Sequence, residues 1–322
     1  MTEPSSDASP APHPDDGRVA DATAQNWVDQ FMPRFSRPWL RLSRADRPAG
    51  TWLLLLPCWQ SLALAIAANG WRIDDLWLFV AMGIGAFLMR GAGCTWNDIT
   101  DRNIDGAVER TKSRPIPSGQ VSARGAAVWM VAQALIAFCI LMTFNGFSIW
   151  LGVLALLPVA IYPFMKRVTW WPQIFLGLAF NWGALMGWAA HTGGLTAAPL
   201  LLYAAGIAWT LHYDTIYAHQ DKEDDALIGV KSTARLFGAS TTRWLSAFAA
   251  LATLGAAGAA VLALSGAALI VALIGCAIYG AHMARQLWLL KIDDPEVCLV
   301  LFRQNRDTGL ILLAAFLAAG VV

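Results

Sequence analysis

Long apolar windows recur along almost the whole chain, and they constrain its fold more than any other feature of the sequence. Each window holds about 17 to 25 mostly apolar residues, enough for a helix to cross about 30 Å of hydrocarbon. Only 14% of the residues are charged, whereas soluble domains carry about 25%. We count about nine windows, near 50–69, 76–96, 123–143, 147–165, 171–190, 197–217, 244–264, 267–286 and 299–321.

The predicted fold is an all-α integral membrane protein with about nine transmembrane helices. Nearly all basic residues fall in loops on one side of the membrane, and the other side receives only Arg72. The positive-inside rule places the charged loops and the N-terminus in the cytoplasm. A net charge of +1 provides no basic surface for nucleic acid, so we expect no nucleic-acid partner.

Residues 1–40 are predicted to form a disordered, acidic cytoplasmic tail, and residues 41–322 the transmembrane domain. Up to about residue 32 the tail holds six acidic residues against one basic residue, Arg18. That acid content argues against a mitochondrial transit peptide. The five cysteines form no C-x-x-C pair and lie mostly in apolar runs, which is typical of inert thiols.

Two acidic stretches follow predicted helices on the same side of the membrane. "NDITDRNID" places Asn97, Asp101 and Asp105 four residues apart, and "DKEDD" repeats this spacing with Asp221 and Asp225. Residues four apart share one helix face. The similarity between the stretches predicts two pseudo-repeated four-helix halves, followed by a ninth helix.

The two acidic stretches predict a magnesium site. Like charges crowded at a membrane interface need a neutralising partner, and oxygen-only ligands favour Mg²⁺. Magnesium also binds phosphate oxygens, so acids and nearby bases together predict a diphosphate site. The candidate diphosphate ligands are Arg90, Arg102, Lys112, Arg114 and Lys222. Alternatively, the acidic residues only keep the cytoplasmic loops in contact with water. In that case Arg90 forms a structural salt bridge with one of these acidic residues.

The sequence resembles the UbiA-type intramembrane prenyltransferases. "NDITDRNID" matches their N-D-x-x-D-x-x-x-D motif, and "DKEDD" matches their second motif, D-x-x-x-D. The blocks at 44–62, 162–190 and 213–234 resemble the 4-hydroxybenzoate polyprenyltransferase branch. The resemblance extends from about Arg41 to the C-terminus.

The resemblance implies a central cavity open to the cytoplasm and laterally to lipid. It also implies Mg-dependent transfer of a polyprenyl group from polyprenyl diphosphate to the ring carbon ortho to the hydroxyl of 4-hydroxybenzoate, a membrane step of ubiquinone biosynthesis. Asn97, Asp101, Asp105, Asp221 and Asp225 take the family's metal and diphosphate positions. We expect the protein in the bacterial inner (plasma) membrane, with its active-site loops in the cytoplasm.

Two further assignments concern the aromatic acceptor. Lys166 and Arg167 are candidates for its carboxylate, because a guanidinium can bind a carboxylate through two hydrogen bonds. Asp214 is a candidate for orienting the phenol or accepting the ring proton, although a structural hydrogen bond explains it equally well.

The sequence is also compatible with two other functions, a sister prenyltransferase and a transporter. A sister prenyltransferase would use homogentisate or dihydroxynaphthoate as the acceptor. A transporter is disfavoured because the acids lie on one side of the membrane rather than at its midplane. Lipid-facing apolar walls admit many prenyl chain lengths, so the sequence does not select one.

Overall fold

The computed structural model describes residues 19, 22–23, 25–106, 111–227 and 229–322, without the side chains of residues 104 and 224. Within these ranges the regular structure is entirely helical. The fifteen α-helices, in chain order, are α1 (Trp27–Phe31), α2 (Arg37–Leu42), α3 (Ala49–Asn69), α4 (Asp74–Asp105), α5 (Ala123–Leu141), α6 (Gly146–Leu154), α7 (Leu156–Val168), α8 (Pro172–Phe180), α9 (Trp182–Thr192), α10 (Ala197–Ala218), α11 (Lys222–Leu227), α12 (Thr233–Phe237), α13 (Thr241–Ala263), α14 (Gly266–Leu289) and α15 (Pro295–Ala319).

Six helical segments in the described chain are long and apolar enough to cross a bilayer. They are Ala49–Asn69, Asp74–Asn103, Ala123–Leu141, Gly146–Val168, Thr233–Ala263 and Gly266–Leu289. The predicted all-helical membrane fold is therefore confirmed. The number of nine spans stays a prediction.

Two of the predicted spans are broken into pairs of helices. Ala155 separates α6 from α7, and Asn181 separates α8 from α9. The amide Nδ2 of Asn181 donates to Gly177 O at 2.9 Å and to Thr210 Oγ1 at 2.8 Å. Non-helical backbone at membrane depth is tolerated where protein groups satisfy its hydrogen bonds.

Small residues bring the central helices close together. Gly183 and Gly187 on α9 face α3, and a Cβ on Gly187 would lie 2.2 Å from the carbonyl oxygen of Cys58. Burying apolar surface between helices gives little stabilisation in lipid, because the lipid is itself apolar. Helices there associate through such close packing instead. The larger core side chains, including Trp209 and Phe316, lie between these helices and α10, α13, α14 and α15.

The N-terminal region is more ordered than the sequence predicts. Helix α1 and the first four residues of α2 lie inside the predicted disordered tail, and Arg41 Nη2 lies 2.6 Å from Asp29 Oδ1. Trp27 Nε1 also donates to Ala45 O at 2.9 Å. Buried polar contacts therefore bind residues 25–40 to the bundle, whereas the division of the chain at residue 40 stays a prediction. Residues 1–18 lie outside the described residues.

The two acidic motifs have different backbones. Helix α4 continues without a break through Asn97 and Asp101 to Asp105. Helix α10 ends at Ala218, and a 3₁₀ turn, His219–Asp221, precedes the short α11 that carries Asp225. The two acidic motifs therefore do not lie on equivalent helix ends. The division of the chain into two four-helix halves stays a prediction.

We expect Gly187→Val to loosen the contact between α3 and α9. Overpacking a close helix contact lowers the free energy of unfolding by about 1–3 kcal/mol, which thermal unfolding in detergent measures. Gly146→Ala is the matched control, because nothing lies within 4 Å of a Cβ there. Equal melting temperatures for the two variants would contradict the assignment.

Candidate active site

A cavity of about 460 Å³ lies inside the bundle. Its walls come from α3 to α10 and from α15, so most of the chain contributes to it. One part is apolar, with Met82, Phe144 and Met186 among its lining residues. The other part carries charge, and its ionic or phenolic side chains are those of Arg44, Arg47, Arg90, Arg114, Tyr162, Tyr213, Asp214, Tyr217 and Arg303.

Asp98 is the centre of an ion network beside the cavity. Its side chain is fully buried, and its Oδ1 lies 2.6 Å from Arg44 Nη2 and 3.4 Å from Arg114 Nη1. Arg44 has φ of 58°, an uncommon left-handed conformation for a residue with a side chain. This backbone geometry brings a guanidinium from the N-terminal region to the first acidic motif.

The three predicted ligands of the first motif face different partners. Asn97 lines the cavity. Asp101 is fully buried, with Lys166 Nζ at 2.5 Å and Arg167 Nη2 at 2.9 Å from its two oxygens. Arg167 also donates to Thr100 O at 3.1 Å.

Asp105 is held by the loop that follows α4. Its Oδ2 lies 2.7 Å from Arg114 Nη1, and its carbonyl oxygen accepts from Thr111 Oγ1 at 2.8 Å. Burial raises the pKa of the Asp105 carboxyl above its usual range, and the charge of Arg114 opposes that shift. Arg114 therefore joins Asp105 to Asp98 and lines the cavity at the same time.

Arg90 lies deeper in the cavity, about 10 Å along α4 from Asn97. Its guanidinium lies 5.2 Å from the ring centroid of Phe180, and its Nε is buried without a hydrogen-bond partner among the described residues. Gly50 makes room for it, since a Cβ there would lie 2.4 Å from Arg90 Nη2. The predicted salt bridge of Arg90 is not formed within the described chain. Asp214 lines the same cavity.

The remaining predicted residues do not line the cavity. Asp221, Asp225 and Lys222 are half-buried at the second motif, while Arg102 and Lys112 are exposed. No group of three acidic, His or Cys side chains converges within the described residues. The atoms that the predicted ligands of both motifs offer to a metal are nevertheless all oxygen atoms. In addition, Asp98 Oδ2 is buried without a hydrogen-bond partner among the described residues. This donor set fits Mg²⁺.

Several cavity residues were not predicted as site residues. Asp98 stands inside the first acidic motif, so the motif itself contained a signal for it. Arg44 and Arg47 stand in the block at 44–62 that carries the family resemblance. Tyr162, Tyr213 and Tyr217 stand in the other two blocks of that resemblance, at 162–190 and 213–234. No sequence pattern distinguishes Arg303, which α15 brings to the cavity.

The cavity lies between apolar helices and has carboxylates and guanidinium groups at one end. This arrangement defines an intramembrane protein with a polar site. The chain belongs to the UbiA prenyltransferase family, whose model matches residues 54–319. The family and the enzyme class predicted from the sequence are therefore confirmed.

Relatives with high sequence identity cover most of the chain. The protein named "4-hydroxybenzoate polyprenyltransferase, mitochondrial" of Bos taurus is 49% identical, and the match covers 88% of this chain and 76% of that protein. The human protein of that name is 47% identical, with 92% and 78% coverage. The Aedes aegypti protein is 48% identical over 85% of this chain, which spans 62% of that relative's length. These names confirm the predicted branch of the family.

Solved structures agree with the fold. The apo structure of a UbiA homolog from Aeropyrum pernix K1 has a TM-score of 0.68 at 23% identity, covering 83% of this chain and 97% of that one. A UbiA homolog from Archaeoglobus fulgidus bound to GPP and Mg²⁺ has a TM-score of 0.65 at 19% identity, with 88% and 100% coverage.

The predicted location is wrong. Relatives that are 47–49% identical are named as mitochondrial proteins, which contradicts a bacterial inner membrane with cytoplasmic active-site loops. Hydropathy and loop charge report how a chain crosses a bilayer, but they do not identify the organelle.

We expect Asp98→Ala to destabilise the protein strongly. Removing one partner of a buried ion pair costs about 3–5 kcal/mol, and here Arg44 and Arg114 would lose a common partner. Thermal unfolding in detergent measures the effect. Asp307→Ala is the control, because the Arg306–Asp307 pair is about half exposed and such pairs contribute about 0–1 kcal/mol. Similar losses in both variants would show that Asp98 is not the centre of the network.

Proposed function

We propose that the chain transfers a polyprenyl group from polyprenyl diphosphate to the ring carbon ortho to the hydroxyl of 4-hydroxybenzoate, a membrane step of ubiquinone biosynthesis. The observation that carries this proposal is a cavity that joins a charged end to an apolar part. A diphosphate suits the charged end, and a prenyl tail suits the apolar walls. The names of the relatives support 4-hydroxybenzoate as the aromatic acceptor.

Asn97, Asp101, Asp105, Asp221 and Asp225 are the residues that would hold Mg²⁺. When bound there, the metal would withdraw charge from the leaving diphosphate, so that the allylic C–O bond ionises. The Archaeoglobus homolog bound to GPP and Mg²⁺ supports this choice of ion.

Lys166 and Arg167 suit the leaving group better than the acceptor. Both contact Asp101 in the structure, and this balances a fully buried carboxylate. A bound diphosphate would provide a second anionic partner beside the same acid. We therefore reassign this pair, predicted from the sequence to bind the acceptor's carboxylate, to the diphosphate oxygens.

Arg90 is then the guanidinium for the acceptor's carboxylate. It lines the cavity, its Nε has no hydrogen-bond partner in the described chain, and Phe180 provides an apolar surface next to it. Asp214 shares this part of the cavity and can accept the proton that the ring loses after the new C–C bond forms. Both groups lie on helices, α4 and α10, which hold them in place.

We expect Asp101→Asn and Asp221→Asn each to lower prenyl transfer by about 100-fold or more, because each removes a charged ligand of the metal. Transfer of an isotope-labelled prenyl group by purified protein measures this. EDTA should abolish the wild-type reaction, and Mg²⁺ should restore it. Asp307→Asn, at an exposed position, should keep full activity. Near-normal turnover in both motif variants would contradict the metal assignment.

We expect Arg90→Ala to raise the acceptor KM about 10- to 100-fold, since a charge-assisted bond contributes about 1.5–3 kcal/mol. Arg167→Ala should instead raise the KM for prenyl diphosphate. Arg124→Ala is the control, because that side chain is exposed and does not line the cavity. If Arg167→Ala alone raised the acceptor KM, the acceptor's carboxylate would be assigned to Lys166 and Arg167, as the sequence predicts.

A further inference from the structure

Helix α1 and the turn that follows it carry a row of exposed aromatic side chains. Trp27, Phe31 and Phe35 stand four residues apart, and their exposed fractions are 41%, 73% and 80%. Trp27 and Phe31 both belong to α1, so they share one face of that helix. A second face of α1 packs on the protein, since Val28 is fully buried. Helix α1 is therefore amphipathic, with its aromatic face directed away from the bundle.

This aromatic row lies at the level where a candidate membrane span begins. Helix α5 is one of the six segments that are long and apolar enough to cross a bilayer. On its first two turns, a Cβ at Gly125 would lie 3.1 Å from Trp39 Cη2, and the rings of Trp39 and Trp129 are 5.8 Å apart. Helix α2, which carries Trp39, is joined to α1 by the buried Arg41–Asp29 pair. The row therefore lies near the boundary between lipid and water.

The surface around the aromatic row is basic. Among the described residues from 25 to 40, the exposed charged side chain is that of Arg34. The acid of α1, Asp29, is paired with Arg41, and both side chains are only 5% exposed. Aromatic rings beside an exposed cation match the membrane interface, where the rings enter the headgroup layer and the guanidinium reaches lipid phosphates.

We propose that Trp27, Phe31, Arg34 and Phe35 form an N-terminal anchor that binds anionic phospholipid at the membrane surface. A negatively charged headgroup is favoured, because no exposed acid in the described part of this segment repels it. The chain that follows brings Arg44 to Asp98, so the anchor fixes the depth of the residues that lead into the cavity. The anchor uses no residue that lines the cavity, and it is independent of the proposed function.

The test places the photoreactive amino acid benzoylphenylalanine in the full chain, in place of Phe35 and separately in place of Phe31. Each protein is reconstituted in nanodiscs of phosphatidylcholine, alone or mixed equally with phosphatidylglycerol. After illumination, mass spectrometry identifies what is attached to each position. We expect phospholipid adducts at both positions, with phosphatidylglycerol preferred in the mixed discs. The same probe in place of Gln120, exposed in the loop between α4 and α5, should give no lipid adduct.

A charge variant tests the part played by Arg34. Removing one basic residue near the membrane surface should lower the preference for phosphatidylglycerol at position 35 about fivefold. High salt should lower the same preference when Arg34 is present. Arg243→Gln is the matched control for Arg34→Gln, because Arg243 is also exposed but lies on α13; it should keep the preference.

The outcomes decide between lipid and water at this surface. Thermal unfolding first shows which probe-carrying proteins are folded. Absence of lipid adducts at both positions in folded protein would place the surface in water, where it would fit a protein partner, and would overturn the anchor. Adducts without a preference for phosphatidylglycerol, or an equal loss of preference in Arg34→Gln and Arg243→Gln, would overturn the binding of anionic lipid. Prenyl transfer is not the readout, so a failure of the proposed function would leave these results unchanged.

Discussion

The pairing of carboxylates with basic side chains at one end of the bundle is the interaction on which the site depends. Asp98 and Asp101 are fully buried at this end, where unpaired charges would cost several kcal/mol each. Arg44, Arg114, Lys166 and Arg167 reach them from the N-terminal segment, the loop after α4 and the end of α7. The ion pairs therefore join parts of the chain that are far apart in sequence around one cavity.

In the proposed reaction, these ion pairs would also prepare the site for an anionic substrate. A guanidinium that two acids hold in place has little conformational entropy left to lose when a diphosphate binds. Arg114 contacts both Asp98 and Asp105 and lines the cavity. Helix α4 carries the acids and continues as the apolar wall, so the charged head and the tail of one substrate would meet the same rigid element.

The rest of the bundle solves a different problem, which is close packing in lipid. Gly187 lets α9 approach α3, and small side chains play the same part across the core. The outer surface of α5, α6 and α7 carries exposed apolar side chains, among them Phe138, Val153 and Leu156.

Periodicity and hydropathy alone determined the helical membrane fold, and the spacing of Asn97, Asp101 and Asp105 identified the first acidic motif, because both depend on local sequence. Only the tertiary structure decided the partners of each charge. The left-handed backbone at Arg44 brings that residue to Asp98 across 54 positions. The folding of residues 25–40 and the pairing of Lys166 with Asp101 were likewise invisible in the sequence. Such contacts depend on how separate helices pack, which no local pattern encodes.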